Sequence, residues 1–183
     1  MVGKKYQIRE AVEDDLTILV KFLAKLALHV SGAQPQNLKE DEHERLIAVL
    51  RSSITDDNKR LLVADVAGQG PVGMGYVYLF HSQGIWEQTS HQELKSGIID
   101  DVWIEPEFRK MGIFQDLLRE LVEFAHTRNA SDLLVEYSAS NKEAAAAWTR
   151  LGFNTVGVRA AAWTSSVQAA LADQSSNRNN QRS

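Results

Sequence analysis

The chain has 183 residues, 44% of them hydrophobic and 24% charged, with 20 Lys and Arg against 24 Asp and Glu for a formal net charge of -4. This length and balance fit one ordinary domain with a sizeable core and argue against non-specific nucleic-acid binding, which needs an excess of basic charge. With no cysteine in the sequence, disulfides, thiolate zinc sites and thiol nucleophiles are excluded, so any chemistry must come from other groups.

The opening segment MVGKKYQIRE lacks the apolar core of a signal peptide, and no apolar run approaches the roughly 20 residues of a membrane span. A cytoplasmic protein without a membrane partner is therefore expected. In chain order, KYQIREA reads as a short strand, and Glu13 or Asp14 then precedes Leu16, Leu19, Leu23, Leu26 and Val30, spaced as one face of a long helix. The stretch HVSGAQPQNLKEDE breaks that period and forms a long linker with room to touch a ligand. Leu46, Val49, Leu50 and Ile54 then predict a second helix. RLLVADVAGQGPVGMGYVYLF carries two β-rich runs around a Gly-rich turn, predicting a hairpin over 61–66 and 72–80.

After the polar connection HSQGIWEQTSHQELKS comes a strand, GIIDDVWI, and then an amphipathic helix with Ile113, Leu117, Leu121 and Phe124 or Ala125 on one side. DLLVEYSA reads as a further strand. SNKEAAAAWTRLG reads as a short helix with Ser140 and Glu143 at capping-box spacing and Gly152 as its stop. FNTVGVRAAAW is expected to close the fold with a last β segment, giving a domain over 1–164, and residues 165–183 form a polar, flexible tail. This order predicts an α/β fold, a mixed sheet with helices on both faces and a ligand site at the carboxyl ends of strands. The strand, glycine and helix around Gly112 would aim backbone N–H groups and a positive helix end at one place, suited to a pyrophosphate.

The run Arg109, Lys110, Met111, Gly112, Ile113, Phe114 resembles the acyl-CoA signature of the GNAT N-acetyltransferase superfamily: Arg or Gln, two residues, Gly, one residue, then Gly or Ala. IIDDVWIEPEFR before it looks like that family's fourth strand, and LLVEYSASNKEAAAAWTRLGF after it like its fifth strand, Asn-led helix and Leu-Gly-Phe ending. The resemblance implies an open, splayed sheet with acetyl-CoA as co-substrate. Its pantetheine arm would pair with backbone groups of Val102, Trp103 and Ile104 and meet Asn141. Its pyrophosphate would sit on the N–H groups of Lys110, Met111, Gly112, Ile113, Phe114 and Gln115, with Arg109 and Lys110 adding positive charge. Bland readings stand beside these: Arg109 and Lys110 as solvated surface, Asn141 as a helix cap and Gly112 as a turn residue.

Acetylation of an amine requires the loss of a proton, which a carboxylate near the thioester can take. Alternation places Asp100, Val102 and Ile104 on one face of the strand and Ile99, Asp101 and Trp103 on the other. Asp100 is the first candidate base because the family's acidic residue lies two positions before the pantetheine-pairing segment, and Asp101 is the second. Either could instead pair with a surface cation. Adjacent carboxylates inside an apolar strand need solvation, which a substrate cleft would supply. Trp148 stands where many family members carry a Tyr acid, and an indole N–H is no practical acid. Tyr137 or water could substitute, and a CoA thiolate could leave without one.

The five histidines show no ligand spacing, so no metal is expected. The expected function is transfer of an acetyl group from acetyl-CoA to a small cationic amine by direct attack in a ternary complex, in a protein that could act as a homodimer. The acidic pair and the run KEDEHE lean toward such an acceptor. The alternative, motivated by Phe114 and the missing Tyr, is a non-catalytic acyl-CoA-binding module.

Overall fold

The computed structural model describes residues 5–31, 39–81, 95–157 and 160–171. Two compact units make up the chain, Met1–Asn141 and Lys142–Ser183. The first carries the sheet: β1 (Tyr6–Glu10), β2 (Lys59–Val66), β3 (Gly70–His81), β4 (Lys95–Ile104) and β5 (Asp132–Val135) lie side by side in that order. The first three pairings are antiparallel and β4–β5 is parallel. The sheet is thus mixed, and both predicted strands of the hairpin form, as β2 and β3. The connection over 82–94 and the linker residues 32–38 lie outside the described residues.

Helices α1 (Leu16–Ser31) and α2 (Glu40–Ile54) pack on one face of the sheet. Their apolar stripes, including Leu19, Phe22 and Leu50, close a core with Leu61, Val63, Met74 and Trp103. α2 begins inside the KEDEHE run. Glu40, Asp41 and Glu42 occupy its first turn, and the Glu42 carboxylate accepts a hydrogen bond from the Lys39 N–H at 3.1 Å. Negative charge there complements the positive helix end, so the run serves the start of a helix.

The other face takes α3 (Ile113–Thr127), whose inward residues Leu117, Leu121 and Ala125 are almost fully buried. Close approach requires a small residue beneath: a Cβ on Gly97 would stand 2.9 Å from Leu133 Cδ2 and 3.2 Å from Ala125 Cβ.

The second unit contains α4 (Lys142–Arg150). The Gly152 N–H donates to Thr149 C=O at 3.0 Å and the Phe153 N–H to Trp148 C=O at 3.1 Å, the paired bonds of a Schellman ending, so Gly152 is the stop the sequence predicts. The helix starts at Lys142, one residue later than Ser140 as N-cap would place it, and the Ser140 hydroxyl lies 2.7 Å from that of Ser138. The last β segment is absent among the described residues: 153–157 and 160–163 have no strand pairing. Residues 164–171 are helical and exposed, and 172–183 lie outside the described residues.

Candidate active site

The register of β4 carries the main correction to the sequence reading. Gly75 faces Val102 and Val77 faces Ile99, so the single residue Tyr76 stands opposite both Asp100 and Asp101. This is a β-bulge: one extra residue shifts the alternation by one. Asp100 and Asp101 are therefore not on opposite faces. Both residues line one cavity on the α1–α2 side.

The bulge sits where β4 and β5 part. Their pairing runs from Ser96↔Asp132 to Ile99↔Val135, while β4 continues to Ile104. On the other side the Glu105 N–H donates to Val72 C=O at 2.9 Å, which makes 105 and 72 a hydrogen-bonded pair. By antiparallel alternation, Trp103 spends its backbone groups on β3, and those of Val102 and Ile104 point toward the side from which β5 has peeled away. The Ile104 C=O accepts from Arg109 Nε at 3.1 Å.

The two carboxylates differ in environment. Asp101 is half-buried, and burial, then the neighbouring Asp100 charge, push its pKa up to about 6. Asp100 is exposed; partial burial and then the Glu136 charge raise it as well. A carboxyl poised close to neutrality is suited to exchanging protons with substrate.

The cavity, of about 540 Å³, lies wholly within the first unit. Leu23, Ala24 and Ala27 of α1, Leu46, Val49, Leu50 and Ser53 of α2, and Lys59, Leu61, Met74, Tyr76 and Tyr78 of the sheet complete its lining. Val49 belongs to the predicted apolar stripe of α2, yet it is 60% exposed because it borders this opening. Sequence reasoning singled out none of these wall residues as functional, since a cavity wall carries the same apolar signal as a core.

Beyond β4 the chain makes a turn (Pro106–Phe108) and enters α3 through two left-handed residues, Lys110 at φ 63° and Gly112 at φ 89°. Gly112 is the N-cap, and the first intrahelical bond runs from the Asp116 N–H to its C=O at 3.1 Å. The N–H groups of the first turn thus gather at the helix mouth. Ile113 is the buried anchor of this turn, Phe114 is half-buried, and Lys110, Met111 and Gln115 are exposed. The Arg109 guanidinium lies 5.2 Å from the centroid of the Trp103 ring and caps it in a cation–π contact. Asn141 directly precedes α4, and its N–H donates to Ser138 C=O at 2.8 Å.

Tyr6 is a residue the sequence reading missed. Its hydroxyl donates to Asp116 Oδ2 at 2.7 Å, lies 3.4 Å from Met111 C=O, and would lie 3.3 Å from a Cβ on Gly112. Burial, then the Asp116 hydrogen bond and charge, push its pKa up to about 12. Asp116 also pairs with Arg119 at 2.6 Å, so the carboxylate nearest the helix mouth is compensated from two sides. Lys25 on α1 forms an ion pair with Glu105, tying that helix to the end of β4. Among the described residues no group of three or more His, Asp or Glu could hold a metal, and no helix is long and apolar enough to cross a membrane.

The sequence model of the acetyltransferase (GNAT) family matches residues 23–153. A thialysine N-epsilon-acetyltransferase from Bos taurus is 24% identical over 152 residues, covering 79% of this chain and 82% of that protein. A transcriptional regulator from Bacillus halodurans has a similar fold, with a TM-score of 0.70, 22% identity and coverage of 86% of this chain and 99% of that one. A predicted acetyltransferase from Clostridium acetobutylicum, solved with acetyl-CoA, aligns with a TM-score of 0.67 at 18% identity over 86% and 96% of the two chains. With that match spanning most of its length, from α1 past α4, the chain belongs to the GNAT family and is an acetyltransferase.

Proposed function

We propose that the protein transfers the acetyl group of acetyl-CoA to a small primary amine, cationic in solution, by direct attack within a ternary complex. The observation that carries this reading is the bulge. It sets two carboxylates, one near neutrality, on the wall of a cavity directly beside the backbone groups that Val102 and Ile104 present to the opening between β4 and β5. In this reading the pantetheine arm lies along that opening, paired with Val102 and the Ile104 N–H. The pyrophosphate rests at the mouth of α3, where the left-handed Gly112 lets backbone and phosphate approach. Tyr6 braces this turn, and Arg109, stacked on Trp103, adds charge beside it. Asn141 meets the arm from the end of the first unit. The acetyltransferase from C. acetobutylicum solved with acetyl-CoA, and the amine acceptor in the name of the Bos taurus relative, both agree with this assignment.

Asp101 is the base and Asp100 its electrostatic neighbour. The ammonium of the acceptor gives one proton to Asp101, directly or through water. The nitrogen lone pair attacks the thioester carbonyl, whose oxygen accepts a hydrogen bond from a β4 N–H. The C–S bond then breaks, and the thiolate takes up the second proton lost from nitrogen. The products are the N-acetylamine and CoA thiol, with the proton on Asp101 returned to solvent. Raising the carboxyl from its usual range to about 6 narrows the gap to an alkylamine, whose pKa is near 10. Neither Trp148 nor Tyr137 is needed as an acid, since a thiolate is an adequate leaving group.

The test is a thermal-shift titration with acetyl-CoA and CoA, followed by a panel of primary amines monitored for thiol release. Saturable stabilisation by acetyl-CoA together with amine-dependent thiol release is expected. Binding without release from any amine would refute transfer, and no binding would refute the site itself.

A further inference from the structure

The cavity beside the bulge identifies the acceptor more closely, on the assumption that Asp101 is the base. Among the described residues its lining carboxylates are the adjacent Asp100 and Asp101, at one end. From there to the far side the wall is Leu23, Leu46, Leu50, Leu61 and Met74, with the phenol rings of Tyr76 and Tyr78 along the floor, their centroids 5.9 Å apart. At the far side stands a cation. Lys59 pairs with Tyr78 in the β2–β3 ladder, one row along from the row of Leu61, Tyr76 and the bulge. Two strand spacings and two residues along the strand put its Cα about 12 Å from those of the two aspartates. Its ammonium is paired with Asp56 at 3.2 Å, a carboxylate that is not among the described lining residues.

We infer that the acceptor is a monoamine on an alkyl or aryl body, and that the site selects against amines carrying a second cation. The ammonium is held and deprotonated at Asp100 and Asp101, while the carbon body displaces water from the leucine and methionine wall. A second ammonium on the same body would have to leave water for that wall and approach Lys59. The one carboxylate beside Lys59, Asp56, is already paired with it, and a charge brought into an apolar site without a partner of its own is strongly disfavoured.

The experiment uses the full chain with acetyl-CoA and a matched series: propylamine, hexylamine, 2-phenylethylamine, 1,6-diaminohexane and spermidine. The kcat/KM for thiol release is expected to rise about tenfold or more from propylamine to hexylamine, and to fall by about as much from hexylamine to 1,6-diaminohexane. Equal or better use of 1,6-diaminohexane or spermidine would overturn the inference and leave amine acetylation intact. In parallel, thermal stabilisation of the CoA-bound protein by each amine reads the cavity without turnover. Hexylamine should stabilise more than the diamine, and the reverse order overturns the inference even if no amine is acetylated. The exposed Val49 gives a second handle, because Val49→Asp places a carboxylate on the wall without disturbing the core. It should raise the diamine-to-hexylamine ratio of kcat/KM about tenfold, and an unchanged ratio counts against the cavity as the acceptor site.

Discussion

Replacing Asp101 by Asn separates the cost of this carboxylate to the fold from its use in the reaction. Its pKa is pushed from the ordinary 3.8 to about 6, first by burial and then by Asp100. At ~1.4 kcal/mol per pH unit, that gap corresponds to about 3 kcal/mol of disfavoured ionisation, reduced to about 2 kcal/mol for a group that keeps some contact with water. The folded value lies above the unfolded one. The penalty is therefore fully present above pH ~6 and is relieved as the pH falls through 6 toward 3.8. Asp101→Asn should consequently melt about 4–8 °C higher than the parent at pH 8, with the advantage vanishing by about pH 3. Its kcat/KM should drop about 10²–10⁴-fold while acetyl-CoA binding is kept. In the parent, kcat/KM should rise with pH through an acid limb near 6. Melting curves at the two pH values and a thiol-release assay measure both halves. Lower stability at pH 8 would show that Asp101 is not a strained carboxylate, and retained activity that it is not the base.

The other predictions follow from neighbouring geometry. Asp100→Asn removes the second cause of the raised Asp101 pKa, so the acid limb of kcat/KM should move below pH 6 with activity largely retained; a fixed limb or complete loss would contradict these roles. Gly112→Ala forces a side chain into φ 89° and 3.3 Å from the Tyr6 hydroxyl, which should cost about 1–2 kcal/mol and weaken acetyl-CoA binding about tenfold by calorimetry. Unchanged affinity would mean that the mouth of α3 does not hold the pyrophosphate. Deleting Asp100 while keeping Asp101 leaves one residue opposite Tyr76 and restores regular pairing. This variant should lose acetyl-CoA affinity that Asp100→Asn keeps, and equal binding by the two would show that the bulge has no part in the site.

Where the sequence was legible, each signal was local. The β2–β3 hairpin is announced by two β-rich runs around glycines, and α3 by Ile113, Leu117 and Leu121 at helical spacing, because burial of one face demands those periods wherever the segment sits. The site's failures share one cause, dependence on a partner distant in the chain. Residues 98–104 alternate plausibly on paper, yet only the register against Tyr76 shows that Asp100 and Asp101 face the same way. Tyr6 braces Asp116 across 110 positions and carries no motif. KEDEHE looks like a patch awaiting a cation, but its first carboxylates serve the start of α2. FNTVGVRAAAW has strand composition, but a strand also requires a neighbouring edge, and none pairs with the described part of it. One clue was present: two adjacent carboxylates in an apolar strand are costly unless they reach an opening, and both aspartates line the cavity.

A single extra residue in β4 accounts for three features that would otherwise look independent. It turns both carboxylates to the cavity side, it bends β4 just beyond Ile99, the last residue paired with β5, and it leaves Val102 and Ile104 with backbone groups aimed into the resulting opening. In the proposed reading, acid–base chemistry on one side of the strand and thioester binding along its edge would both depend on this local distortion, held by β3 on one side and by the Arg109 bond to Ile104 at the end. Coupling of this kind would give the polar pair a use that offsets its cost in an apolar strand. On the proposed reading, removing the charges should stabilise the protein at the expense of the base, whereas removing the bulge should straighten β4 and close the edge on which the co-substrate would lie.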